Sequence, residues 1–169
     1  MDTMNFLVFL DIFYGKNMIS PTINSQTIIF LAHLISTSIM VGVIWVIQLV
    51  HYPSFHFIDK DIYSAFQKFH MNKISLIVLP LMIVEIITGV ILLNLHNFKN
   101  AFILISFIIL IIIWAITGVF FSSVHSKLII GYQELIVNQL VAINWIRTLL
   151  WTLRLVFLFC FIYYTDNKF

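Results

Sequence analysis

Three ionisable residues, His33, Glu85 and Arg154, stand inside stretches of sequence that are otherwise apolar. A charged side chain at the centre of a membrane costs about 2.5–3.5 kcal/mol on insertion scales, so such residues face a bundle interior, pair with one another and mark a site. Glu85 and Arg154 are an ion pair in the making, serving either to fix helix register or also to contact a ligand or a proton path. His33 is either an interhelical hydrogen-bond partner for a Ser or Thr or a ligand, with haem iron as the metal a histidine inside a bundle would hold. A second polar set, Gln48, His51, His70, His125, Asn144 and Arg147, lies nearer the ends of the same stretches. Each of its histidines, taken alone, is equally an ordinary interfacial residue. Trp151 follows Arg147 by four residues and precedes Arg154 by three, a spacing that allows cation–π contact.

The elements that must carry these residues are apolar runs at about 26–50, 72–95, 101–122 and 141–164, each near the roughly 20 residues a span requires. Ser25 reads as an N-cap of the first and Pro53 as its stop just after His51. Pro80 inside the second removes a backbone donor and predicts a kink. Between the first two runs, residues 59–70 read as a short amphipathic helix on the membrane surface. Ile62, Phe66 and Phe69 share one side of it, with Asp59, Lys60, Gln67 and Lys68 mostly elsewhere. A short connection at residues 97–100 makes the second and third runs antiparallel neighbours; the loop at residues 123–140 is longer.

Helical periodicity then gives every run one polar stripe. His33, Thr37, Met40, Gln48 and His51 align on the first run. His70, Ile77, Leu81, Glu85 and Thr88 align on the second. Trp114, Gly118, Phe121 and His125 share the third, and Asn144, Arg147, Trp151 and Arg154 the fourth. Without water to solvate them these stripes must converge. At 1.5 Å per residue from the shared loop end, Glu85 and Arg154 each lie about 20 Å deep and His33 about 27 Å deep. The first and third runs also end alike, on Gln48–His51 and Ser122–His125, which is too little to establish a repeat.

Composition agrees. Of 169 residues, 62% are hydrophobic and 9% charged, against about 45–50% and about 25% in soluble domains. The expected fold is all-α: a polytopic membrane protein, an antiparallel four-helix bundle of one domain over residues 1–169 with one short surface helix. A net charge of +2 argues against nucleic acid as a partner and leaves the lipid bilayer, with a homodimer or a larger membrane complex as the protein partners to consider. Residues 1–10 lack a basic region and a small-residue cleavage site, so they read as a short interfacial segment rather than a cleaved signal. Lys60, Lys68, Lys73 and Lys127 outnumber Lys16, Lys99 and Lys168, which places the first set in the cytoplasm and both termini outside. The lone Cys160, inside an apolar helix, reads as structural. There is no glycine-rich phosphate loop, no Gly-x-Ser-x-Gly and no His-Glu-x-x-His.

The layout His33, Trp45, Gln48, His51-Tyr52-Pro53, Pro80-Leu81-Met82 and Glu85 is similar to that of small four-helix bacterial membrane proteins. The string Asn144-Trp145-Ile146-Arg147-Thr148-Leu149-Leu150-Trp151-Thr152-Leu153-Arg154 resembles the signature of an uncharacterised family of that kind. A more distant resemblance is to the haem-b-containing bacterial protoporphyrinogen oxidase, whose early histidine is a haem ligand and whose matching position is His33. Its third helix opens on His and Lys, which residues 102–105 lack here, and its Arg-Leu-Phe is Gln48-Leu49-Val50. A loose likeness to anthrone-oxygenase-like domains rests on the Asn and Arg of the last helix. These resemblances imply a bacterial inner membrane and a membrane oxidoreductase with haem b, His33 on the iron and Arg154 or Arg147 on a propionate. The expected function is therefore a protein holding a redox cofactor or lipophilic ligand in an intramembrane polar pocket. The alternatives are a small proton-coupled transporter or lipophile-binding protein, with Glu85 as the titrating acid, and a structural or assembly subunit of a membrane complex.

Overall fold

The computed structural model describes residues 25–166, which form helices joined by short connections with no strand among them. Among the described residues four helices are long and apolar enough to cross a membrane: α1 (Ser25–Phe57), α2 (Tyr63–Leu95), α3 (Ala101–Ile130) and α4 (Glu134–Asp166). The 33 residues of α2 make a rod about 50 Å long against a hydrocarbon core of about 30 Å. The expectation for the N-terminal segment falls on residues outside the described ones.

The helices form an antiparallel ring. α1 packs on α2 and α4, and α3 packs on the same two. Large apolar side chains such as Ile35, Leu76, Ile87 and Phe159 are left exposed on the outside, as helices that meet lipid require. The chain is an integral membrane protein whose apolar helices contact the bilayer.

Several boundaries differ from the expected ones, each for a physical reason. α1 does not stop before Pro53. Residues Ile47–His51 form a π turn, and the Tyr52 amide donates to the Ile47 carbonyl five residues back. Pro53 then enters a fresh turn, Tyr52–Ser54, at its first positions, where a missing amide costs nothing. The separate surface helix at 59–70 does not form. Residues 59–62 make the connection, and from Tyr63 onward the segment is the first two turns of α2. Ile62 and Phe69 face outward while Gln67 and His70 are buried. α3 runs on to Ile130 and α4 begins at Glu134, so the long expected loop shrinks to residues 131–133. Val124, Leu128, Val137 and Leu140, which that loop would have left in water, are buried in the core instead.

The connections at the two ends are tied down differently. At the α2–α3 end the Asn100 side chain caps α3, accepting from the Phe102 and Ile103 amides at 3.1 and 3.2 Å. The preceding turn holds Asn97 and Phe98 at φ of 49° and 58°. At the opposite end, called here the loop side, His56 Nδ1 and the Tyr132 hydroxyl are 2.9 Å apart, and the Ser64 hydroxyl donates to the Ile129 carbonyl. The main apolar core, around Met40, Ile44, Phe55, Leu128 and Trp151, fills the loop-side half. A smaller cluster of Leu92, Leu93, Ile103 and Phe161 closes the other half.

Candidate functional site

Two polar layers cross the bundle. The inner one is built on the ion pair. Arg154 Nη1 donates to Glu85 Oε1 at 2.6 Å, and both side chains are 0% exposed. The Thr37 hydroxyl donates to the same oxygen at 2.9 Å, and Trp151 Nε1 donates to Oε2 at 3.2 Å. The carboxylate therefore receives three donors from α1 and α4. Two further donors of Arg154 are directed at α3 and α1. Nε donates to the Ser106 carbonyl on α3 at 3.2 Å, and Nη2 faces His33 Nε2 at 3.5 Å.

The state of His33 follows from its neighbours. The Thr88 hydroxyl donates to the Val84 carbonyl at 2.6 Å, so across the 2.7 Å contact it must accept the proton of His33 Nδ1. Nε2 is then the acceptor turned to Arg154. The ring edge is also closed in: a methyl group added at Gly89 would sit 3.4 Å from His33 Cε1 and 2.8 Å from Phe107 Cδ2. Haem iron at His33 does not fit this arrangement. Iron would have to bind Nε2, the nitrogen with a lone pair, and that atom faces the Arg154 guanidinium at 3.5 Å while neither groove described below reaches the residue.

The second layer lies toward the loop side. His51 Nε2 and His70 Nδ1 are 2.6 Å apart, a hydrogen bond in which one ring donates to the other. The Gln67 amide donates to His125 Nδ1 at 2.7 Å, which leaves the proton of that ring on Nε2, 3.3 Å from the Tyr52 hydroxyl. The His70 and His125 rings face each other with centroids 5.6 Å apart. On α4, Asn144 donates to Gln48 Oε1 at 2.8 Å and accepts from Arg147 Nη1 at 3.4 Å. Gln48 in turn donates to the Val141 carbonyl at 3.3 Å. The Arg147 guanidinium lies 4.0 Å from the Phe121 ring centre and 5.2 Å from that of Trp151.

This layer is incompletely satisfied. His70 Nε2, Gln67 Oε1, Arg147 Nε and the Tyr63 hydroxyl are buried without a hydrogen-bond partner; outside this layer the same holds of the Ser106 hydroxyl, beside Arg154, and of Trp114 Nε1. Two grooves flank the loop-side layer, sharing Ile47 and Ile74 as a common wall. One, of 590 Å³, runs along the α1–α2 seam past Gly42, Phe66 and Phe69 to His51 and His70, with Lys73 also in its lining. The other, of 370 Å³, lies between α2 and α3 and reaches Tyr52, His125 and Arg147. Two π turns, Ile47–His51 and Thr117–Phe121, supply wall residues to these grooves. Such turns are rare and recur at functional sites.

The residues singled out in the sequence thus divide between two places. His33, Glu85 and Arg154 meet in one cluster, bridged to the other by Trp151, which hydrogen-bonds Glu85 and lies in cation–π contact with Arg147. Gln48, His51, His70, His125, Asn144 and Arg147 gather in the second. Ile77, placed on the α2 stripe, faces outward, and Met82 takes the interior position. Periodicity alone misses Ser106, Tyr52 and Gln67. The signal for Gln67 is its three-residue spacing from His70. Among the described residues no cluster of three or more His, Cys, Asp or Glu is arranged to hold a metal ion. Comparison with known protein families, with curated proteins and with solved structures finds no match for this chain.

Proposed function

We propose that this protein binds a lipophilic ligand inside the membrane at its loop-side layer, which the ligand enters sideways from the bilayer. The observation that carries this is the coincidence of unpaired buried polar atoms with open apolar grooves at one level. Leaving a buried donor or acceptor unsatisfied costs about 1–3 kcal/mol each, and three of these atoms, on His70, Gln67 and Arg147, belong to side chains of the layer the grooves flank. A molecule with an apolar body and a polar end satisfies both requirements. The grooves have apolar walls ending in a few polar groups, the ordinary make-up of a small-molecule site. A redox-active ligand of the quinone type is one form of this reading: its carbonyl oxygens would accept from the imidazoles while its ring lies against Phe66 and Phe69.

On the same reading the loop side, with Lys60, Lys68, Lys73 and Lys127, faces the cytoplasm. The inner layer serves as the lock that holds the four helices in register, since its two charges are paired with each other and the carboxylate takes further bonds from Thr37 and Trp151.

The test is extraction and mass spectrometry of the full chain purified in mild detergent from its own membranes. Wild type should carry close to one equivalent of a lipophile, and His70→Phe should carry far less at the same yield. A wild-type protein with nothing bound, or a variant that retains as much, overturns the reading. An oxidised and a reduced absorption spectrum of the same sample tests haem directly. Any Soret band should survive His33→Ala, because the lone pair of that imidazole is turned to Arg154 and no groove opens on it.

A further inference from the structure

Arg147 is only 4% exposed, lies within a membrane-spanning helix, and has no carboxylate beside it. Among the described residues the one ion pair is Glu85–Arg154. The three buried charges of the interior, Glu85, Arg154 and Arg147, therefore sum to +1. A buried charge is tolerated when paired and costly when not, so this cation requires an anion that the described residues do not supply.

The geometry says where that anion sits. The guanidinium lies over the Phe121 ring, 4.0 Å from its centre, and 5.2 Å from the centre of the Trp151 ring. One nitrogen is tied to Asn144, and Nε is buried without a partner. Arg147 lines the 370 Å³ groove together with Tyr52, His125, Ser75 and Ser122. The rest of the groove is apolar, ending at Leu79, which is exposed on the lipid side. A planar guanidinium offers paired donors that match the oxygens of a carboxylate or phosphate. We infer that this groove binds an anionic amphiphile, its oxyanion head on Arg147 with Tyr52 and His125 alongside, and its alkyl tail running out past Leu79 between α2 and α3. This rests on the lipophile-binding reading above and narrows it to one groove and one head-group chemistry.

The test uses the full chain in a neutral maltoside detergent and three probes: dodecyl phosphate, dodecanol and inorganic phosphate. Dodecyl phosphate should bind at least about tenfold more tightly than dodecanol, as a charge-assisted bond predicts. Inorganic phosphate at the same concentration should not displace it, because it lacks the tail. Arg147→Met, which keeps the length and packing of the side chain, should remove the preference for the anion. Leu79→Trp, a change on the exposed rim, should weaken dodecyl phosphate by filling the tail channel, and it carries the test if Arg147→Met does not fold. Equal binding of dodecyl phosphate and dodecanol, unchanged by Arg147→Met, overturns the anion site while leaving a lipophile binder. Displacement by inorganic phosphate alone overturns the amphiphile in favour of a free-anion site. Binding of none of the probes overturns the site and counts against the lipophile reading as well.

Discussion

The two polar layers are made of the same kinds of residue and behave in opposite ways. In the inner layer Glu85 has three donors, Arg154 is engaged on three sides and His33 has both nitrogens occupied, so that the Ser106 hydroxyl alone is left over and no groove reaches it. In the loop-side layer Arg147 has no carboxylate, His70 and Gln67 each leave a polar atom unpaired, and open grooves lie on both flanks. Burial of ionisable groups therefore does not by itself mark a binding site in a membrane bundle. What separates a lock from a receptor is whether the hydrogen-bonding capacity of those groups is used up.

That contrast breaks most visibly at Glu85. Glu85→Gln leaves Arg154 as an uncompensated buried charge and should cost about 3–5 kcal/mol, read as a loss of thermal stability in detergent. Pairing it with Arg154→Gln should recover part of the loss; strictly additive effects would show that the two side chains do not act as a unit. Next in size is Gly89→Ala. The added methyl meets Phe107 at 2.8 Å, and overpacking of this kind costs about 1–3 kcal/mol. Combining it with Phe107→Leu should return most of that stability, and a failure to do so would mean the close approach of α2 and α3 is not what the glycine protects. Thr37→Val removes one donor from the Glu85 carboxylate and should cost about 0.6–1.7 kcal/mol, the range for interhelical hydrogen bonds in membranes. The smallest stability effect belongs to the other layer. His70→Phe gives up one hydrogen bond to His51 and an atom that had no partner, so it should cost about 0.6 kcal/mol or less while sharply reducing the lipophile carried through purification. A large loss of stability there would erase the distinction between the layers.

The inner layer was the more legible of the two in the sequence. Depth along a helix follows from residue count, and Glu85 and Arg154 came out level for that reason. His33 counted as about 7 Å deeper, yet it meets Arg154. Residue counting measures Cα positions, and the long arginine side chain closes the gap. The gathering of Gln48, His51, His70, His125, Asn144 and Arg147 also followed from convergence of the polar stripes. Tyr52 and Gln67 did not. Gln67 sat on the polar side of a segment read as lying on the membrane surface, where polar means outward; the same segment continued into a span has its polar side inward. The π turns were not legible at all. A shift from four-residue to five-residue hydrogen bonding is decided by how α1 and α3 pack, and no residue type demands it.

Those π turns have a genetic corollary. Each accommodates one residue more than an α turn, so each behaves as a single-codon insertion retained in the gene. Removing one residue from Ile47–His51 would let a regular helix carry the chain through the same stretch with the segments on either side near their present phase. His33 and Thr37 before the turn and Tyr52 after it would keep their places, and only residues of the turn itself, Gln48 and His51 among them, would shift. A one-residue deletion there should therefore disturb the His51–His70 contact and spare the lock. A chain of ancestry would separate on the same point: members with and without the extra residue can share a bundle and differ in what it holds.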